Sequence, residues 1–558
     1  MSDYFDLGSH SFPITTSSEN AQTWFDRGLI WCYGFNHEEA IRCFEKVVEL
    51  DAKCAMGYWG ITYAASSFYN KPWEWYGEKE ITESTKFCYE NIQKAIQNNS
   101  LATTLEQHLI AALSQKHPDD KADDFTTLNL RERIYAQSMR SVLEKFPLDR
   151  DIICLTAESM MNLTRWKLWD IHQGIPAPDA LTLASIEILE QALSLTEQDQ
   201  LNPHPGILHF HIHAFEMSPW PEKALTSANQ LRDISPESGH LLHMATHIDV
   251  LCGQYLEAVE ANNRATKVDL KYIDLRGKHE FYMISCLHDF HSKMYAAMFL
   301  GQFAPAMQAA QDIRSVINDE LLQTDRRYLA STLEGYFSSK VHVLVRFGHW
   351  QAIVDETFPD NRSLYPITTA LLYYGKTIAY AALGDIDSAR GCKTIFDQLH
   401  AAIPDWHIMA NNPSKDILAV AEAMSSGELE YHAGNHDLGY SHLRRACKLN
   451  DNLAYSEPWP WMHPPRHALG ALLLEQGHVE EAMQHYQDDL GIDNTLPRSL
   501  QHRANIWALH GYVECLKRQG QTETIDDFQQ KLDKAMSHAD ISIDSSCCCR
   551  KNVFDGGI

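Results

Sequence analysis

"GQYLEAVEA" (Gly253–Ala261) sets a glycine five residues ahead of a small residue, Ala258, and the same form recurs along the chain. "GQFAPAMQA" from Gly301, "GDIDSARG" from Gly384 and "GHVEEAMQHY" from Gly477 put Ala306, Ala389 and Ala482 in that slot. "GHWQAIV" at Gly348 and "GNHDLGY" at Gly434 follow it with Ile353 and Gly439. A glycine of this kind ends one helix, and the small residue near the start of the next lets two helices approach closely. "FNHEEAIRCFEKVVELDAKCAMGYWG" (Phe35–Gly60) adds Ala40 in the small slot, Phe44 one turn on, and Asp51 and Ala55 at the following helix start.

Repetition of such a unit predicts an all-α fold, a tetratricopeptide-like helix-pair solenoid. A solenoid of this type is a right-handed superhelix that can close on itself around a central groove. Outward from the turns, the expected organisation is a lead (1–19), N-terminal helical repeats (20–120), an irregular helical region (121–200), histidine-rich central repeats (201–350) and C-terminal repeats (351–535). The small and polar composition of 536–558, with "SSCCCRKNVFDGGI" at its end, predicts a disordered tail whose Cys547–Cys549 run could be acylated or bind a soft metal.

Charge and cysteine usage narrow the function classes. A net charge of −27 argues against nucleic acid or anionic membrane as the main partner, because both need a basic surface. No apolar run approaches the roughly 18 residues of a membrane span, and the first residues lack a signal-peptide pattern. The 13 cysteines form no CxxC framework, so free thiols and a cytoplasmic location are expected.

The strongest chemical signal is histidine. Seven fall between His204 and His247, far above the chain average of 29 in 558. Counted back from the small residue of the second helix, with Ala224 as that residue in "PEKAL", His209 and His213 occupy slots −15 and −11. His243 and His247 occupy the same slots before Ala258, and His291 is at −15 before Ala306 with Tyr295 at −11. His240 and His288 share slot −18. Spacings of three and four residues put these side chains on one helix face. An i,i+4 histidine pair can reach one ion, and neighbouring helix axes lie roughly 8–10 Å apart, within reach of facing imidazoles. His209, His213, His243 and His247 are therefore the expected ligands, with His240, His288 and His291 next. His211 falls off this face, and His204 belongs to the helix start.

Imidazole-rich shells suit Cu, Fe or Zn rather than Mg or Ca. Glu216 continues the face after His213 as a proton shuttle or an acceptor for an imidazole N–H, a role Asp249 and Asp289 could also fill. Glu158, in the apolar "LTAESMMNL", is a second catalytic candidate because a buried carboxylate needs a partner or a task. Tyr33, His37, Tyr295, Trp459, Trp461 and Arg466 are the expected groove wall, Arg466 being suited to a carboxylate or phosphate. Dinucleotide-binding, P-loop and G-x-S-x-G patterns are absent.

Taken together, "FNHEEA", "CAMGYWG", "AESMMNL", "HPGILHFHIHAFEMS", "GHLLHMATHIDVLCGQYLEAVEANNRA" and "EPWPWMHPPRHALGALL" resemble a family of tetratricopeptide-repeat proteins of bacteria and fungi. The resemblance covers nearly the whole chain except its tail. It implies a helical-repeat fold with a histidine-rich groove, and it supplies no residue roles. The expected function is that of a metal-dependent enzyme oxidising a small molecule. The alternatives are a zinc hydrolase or lyase, or a peptide-binding repeat scaffold that could also form homo-oligomers.

Overall fold

The structure, a computed structural model, describes residues 4–121 and 124–550. Helices run throughout, and the regular β-structure among the described residues is confined to two antiparallel ladders of two residues per strand. The all-α architecture of packed helix pairs follows the sequence reading. Two compact units divide the chain: Met1–Ile248 with Arg264–Cys286, and Asp249–Asn263 with Leu287–Ile558.

In the first unit, Glu19–Tyr33, His37–Leu50 and Ala55–Ala65 pack on one another. Phe44, four residues after Ala40, is fully buried between two glycines. A Cβ on Gly28 would stand 2.7 Å from its ring and one on Gly60 2.4 Å, so both flanking helices need glycine to sit this close. The region 121–200, expected to be irregular, contains Phe125–Lys145, Arg150–Met161 and Thr182–Gln198, which pack in sequence order. Leu128, Tyr135, Met139 and Val142 keep helical period and are buried, although no glycine turn marks this pair in the sequence.

In the second unit the repeated turn has the expected geometry. Gly253, Gly301, Gly348, Gly384, Gly434 and Gly477 all have positive φ, between 67° and 89°, where glycine alone carries no steric cost. Ala258, Ala306, Ile353, Ala389 and Ala482 are fully buried. The aromatic wedge recurs as well: Tyr486 lies four residues after Ala482, and a Cβ on Gly470 or Gly511 would come within 2.5 Å or 2.2 Å of its ring. Close approach through paired glycines thus builds both units.

The tail differs from its sequence reading. Residues 537–550 pack on the second unit; 551–558 lie outside the described residues. Asp540 accepts from the backbone N–H of Phe303 and Ala304 at a helix start, at 2.6 and 2.8 Å. Tyr486 and Ser546 share a hydrogen bond of 2.5 Å, and Arg550 pairs with buried Glu514 at 2.8 Å. Composition predicts disorder here because apolar residues are few, but the segment's polar groups satisfy helix ends and buried charges instead. Cys547 and Cys549 are joined as a disulfide, a short local cross-link, while Cys548 keeps a free thiol.

Candidate metal centre

The helix Pro205–Glu216 begins with Pro205 at its first position, and His204 caps it by accepting the Ile207 N–H on Nδ1 at 3.2 Å. All twelve residues of this helix are buried, so its histidines sit in the core of the first unit rather than on a solvent-open groove face. His211 leaves the cluster and meets Ser227 at 3.0 Å. His209 and His213 face each other across one turn, Nε2 to Nε2, at 3.0 Å.

The second pair has the same form on a helix that is tightened in the middle. Gly239–His243 and Ala245–Cys252 are separated at Met244, where the His247 N–H bonds to the Met244 carbonyl. His243 and His247 keep their Nε2 atoms 2.8 Å apart despite that change of pitch. Thr246 Oγ1 lies 3.3 Å from His243 Nδ1.

Glu216 joins the two pairs. Its Oε1 accepts from His213 Nδ1 at 2.7 Å and its Oε2 from His247 Nδ1 at 2.6 Å, with the carboxylate fully buried. On the far side, His209 Nδ1 donates to the Tyr33 carbonyl at 2.6 Å. His240 stacks into the same group, with its ring centroid 5.1 Å from that of His209 and 5.8 Å from that of His243. Potential ligand atoms of His209, His213 and His240 lie within 4.8 Å of one another, as do those of His213, Glu216 and His247. Burial drives the imidazoles toward the neutral form: His213 is pushed down to about 3, and His209 well below the usual histidine range, with neighbouring His213 adding to the effect.

Two residues that the sequence reading missed complete the wall. Phe35 packs against His209, His213 and His240 at centroid distances of 4.5, 5.7 and 5.2 Å, and Tyr69 lies 4.8 Å from His213. Phe35 has φ +58°, the left-handed conformation that the repeated turn elsewhere gives to glycine. A bulky residue there is strained and persists only where surrounding packing holds it. The signal was present in "YGFNHEEA", where the turn glycine stands one residue early.

Several of the other candidates have partners outside this group. Tyr33 reaches the cluster through its carbonyl, while its hydroxyl donates to Asp151 at 2.8 Å. Glu158 accepts hydrogen bonds from Tyr63 and Asn162 and from none of the cluster histidines; burial raises its pKa. His37 bonds the Ala64 carbonyl and stacks on Phe68 at 3.6 Å, a packing role in place of the groove role. Tyr295, Trp459, Trp461, Arg466, His288 and His291 belong to the second unit, as do Asp249 and Asp289. There Tyr295 meets His502 at 3.1 Å, and Trp459 donates to Asn450 at 3.1 Å. Trp461 packs against His342, and His291 against Tyr336. Arg466 is committed to Asp451 through two bonds of 2.6 and 2.5 Å, which uses the charge expected to meet a substrate.

No family model and no curated protein matches the chain. Among solved structures, Cut9 in the APC/C hetero-tetramer Cut9–Hcn1 is 13% identical over 89% of this chain and 76% of its own, with a TM-score of 0.30. Yeast Tom70 is 12% identical over 92% of this chain and 99% of its own, TM-score 0.30. Human IFIT1, in a dimer with m7Gppp-AAAA, is 10% identical over 94% and 91%, TM-score 0.32. At these scores the likeness carries no functional argument, and the fold rests on the helix pairs themselves. Among the described residues no helix is long and apolar enough to cross a membrane.

Proposed function

We propose that the histidine cluster binds a transition metal and that the protein is a metal-dependent enzyme performing oxidative chemistry on a small molecule. One observation carries the metal: the 3.0 Å approach of His209 Nε2 to His213 Nε2. A carbonyl only accepts, so His209 carries its proton on Nδ1 toward Tyr33. His213 likewise spends its proton on the Glu216 carboxylate. Two neutral imidazoles then point lone pairs at each other, an arrangement that a proton or a cation must relieve. Burial disfavours an added proton, and a metal cation held by both nitrogens would relieve the repulsion.

With metal–nitrogen distances of roughly 2.0–2.1 Å, nitrogens 3.0 Å apart subtend about 95° at the ion. That angle suits cis positions of a tetragonal or octahedral ion, such as Cu(II) or Fe(II), better than the wider angle of tetrahedral Zn. Glu216 and the Tyr33 carbonyl fix the ligand tautomers, the usual task of groups behind metal-bound histidines. The cytoplasmic location and the histidine-rich tetratricopeptide family suggested by the sequence belong to this proposal. A second reading, a protein-binding repeat scaffold with a structural ion, is favoured by the helix-pair repeats of the second unit.

Metal analysis of protein produced with added Fe, Cu and Zn tests the proposal. Stoichiometric Cu or Fe that falls in His209→Ala/His213→Ala is expected. Protein that carries no metal and takes up none on titration overturns the reading. Oxygen uptake by the loaded protein with a reductant separates a redox centre from a structural ion.

A further inference from the structure

We infer that the cluster is built for two ions, held as two histidine pairs coupled through Glu216; this rests on the metal reading above. Each pair forms its own two-nitrogen claw, His209 with His213 at 3.0 Å and His243 with His247 at 2.8 Å. Both separations match cis ligation of one ion per pair. Glu216 touches the outer nitrogen of one member of each pair, through a different oxygen.

That placement decides against a single four-histidine ion. His213 and His247 converge on one carboxylate through Nδ1, so their Nε2 atoms diverge, each toward its own partner. The two rings stand nearly perpendicular with centroids 5.7 Å apart. Bringing both Nε2 atoms into one shell would rotate at least one ring off Glu216 and break a short charge-assisted bond. The tight set around the first pair is completed by His240 rather than by the second pair. His240, between the pairs, supplies the third nitrogen of the first ion.

The charge count indicates what else the centre takes. Glu216 brings one negative charge against the four positive charges of two divalent ions, and neutral imidazoles offset none of them. The remaining coordination positions therefore suit an anionic oxygen ligand: hydroxide, a carboxylate, or an ionised phenol or enol. A substrate of that class would bind with its oxygen at the ions, against the apolar wall of Phe35 and Tyr69.

Full-length protein stripped of metal, titrated with Cu2+ and dialysed against nitrilotriacetate, gives the count. Two retained ions per chain are expected, with EPR lines broadened by a neighbouring spin. His243→Asn/His247→Asn should retain one ion with a narrow mononuclear spectrum. One ion in the unaltered protein overturns this inference and leaves the metal reading standing; none overturns both. Two ions in the double variant also refute the assignment. If that variant does not fold, the count and spectrum of the unaltered protein decide alone.

Discussion

Replacing Glu216 by glutamine keeps the shape of the side chain and removes its charge, which isolates its effect on the histidines. The carboxylate accepts two N–H bonds, from His213 at 2.7 Å and His247 at 2.6 Å. An amide has one oxygen to accept and an NH2 that can only donate. One histidine therefore keeps a weaker bond, while the other meets a donor and must move its proton to Nε2. That proton lands where its pair needs a lone pair. Loss of a group behind a metal-bound histidine costs 10–100-fold in affinity, about 1.4–2.8 kcal/mol. Here the loss should fall mainly on one of the two pairs. Competition titration of Cu2+ against a chelator measures it, with circular dichroism and urea unfolding to follow the fold. Glu39→Gln serves as control, since Glu39 is equally buried in the same unit but bonds Tyr4, Arg42 and Arg276. Glu39→Gln should lower stability and leave metal affinity unchanged. Unchanged affinity in folded Glu216→Gln, or equal losses in both variants, would refute the reasoning.

Three further outcomes are expected. Gly60→Ala should destabilise the protein by roughly 1–3 kcal/mol in urea unfolding, because its methyl group meets Phe44 at 2.4 Å; Gly384→Ala, with open space around it but φ +89°, should cost about 1 kcal/mol through strain alone. Burial raises the Glu428 carboxyl from 4.5 to about 8, so its contribution to stability is complete below pH 4.5, is lost as pH rises toward 8, and is flat above; Glu428→Gln should remove that slope, a difference on the order of 3–5 kcal/mol between pH 5 and pH 9. Truncation after Met536 should lower the unfolding free energy by roughly 2–4 kcal/mol, and the unfolding midpoint with it, through the loss of the Asp540 cap and the exposure of Glu514 without its Arg550 partner. An unchanged midpoint in the truncated protein would show that the tail adds nothing to the second unit.

Much of this arrangement is legible in the chain, because it depends on local period. Glycine five residues before a small residue specifies a left-handed stop and a close helix crossing, and both are found at Gly253, Gly301, Gly384 and Gly477. The i,i+4 spacing brings His209 to His213 and His243 to His247, since one helical turn fixes that distance wherever the helix lies. The position of Glu216 one turn after His213 is of the same kind. Contacts between distant segments are not encoded this way. The Tyr33 carbonyl reaches His209 across 176 positions, and Phe35 turns into the histidines only because its backbone adopts φ +58°. Glu158 and Arg466 show the converse: their residue types suit catalysis or anion binding, yet Tyr63 and Asn162 take up the carboxylate and Asp451 the guanidinium. The sequence by itself determined the helices and which histidines pair. Tertiary structure decided that the pairs are buried, that one carboxylate joins them, and which charged groups are already satisfied, because burial and partner choice depend on segments that only folding brings together.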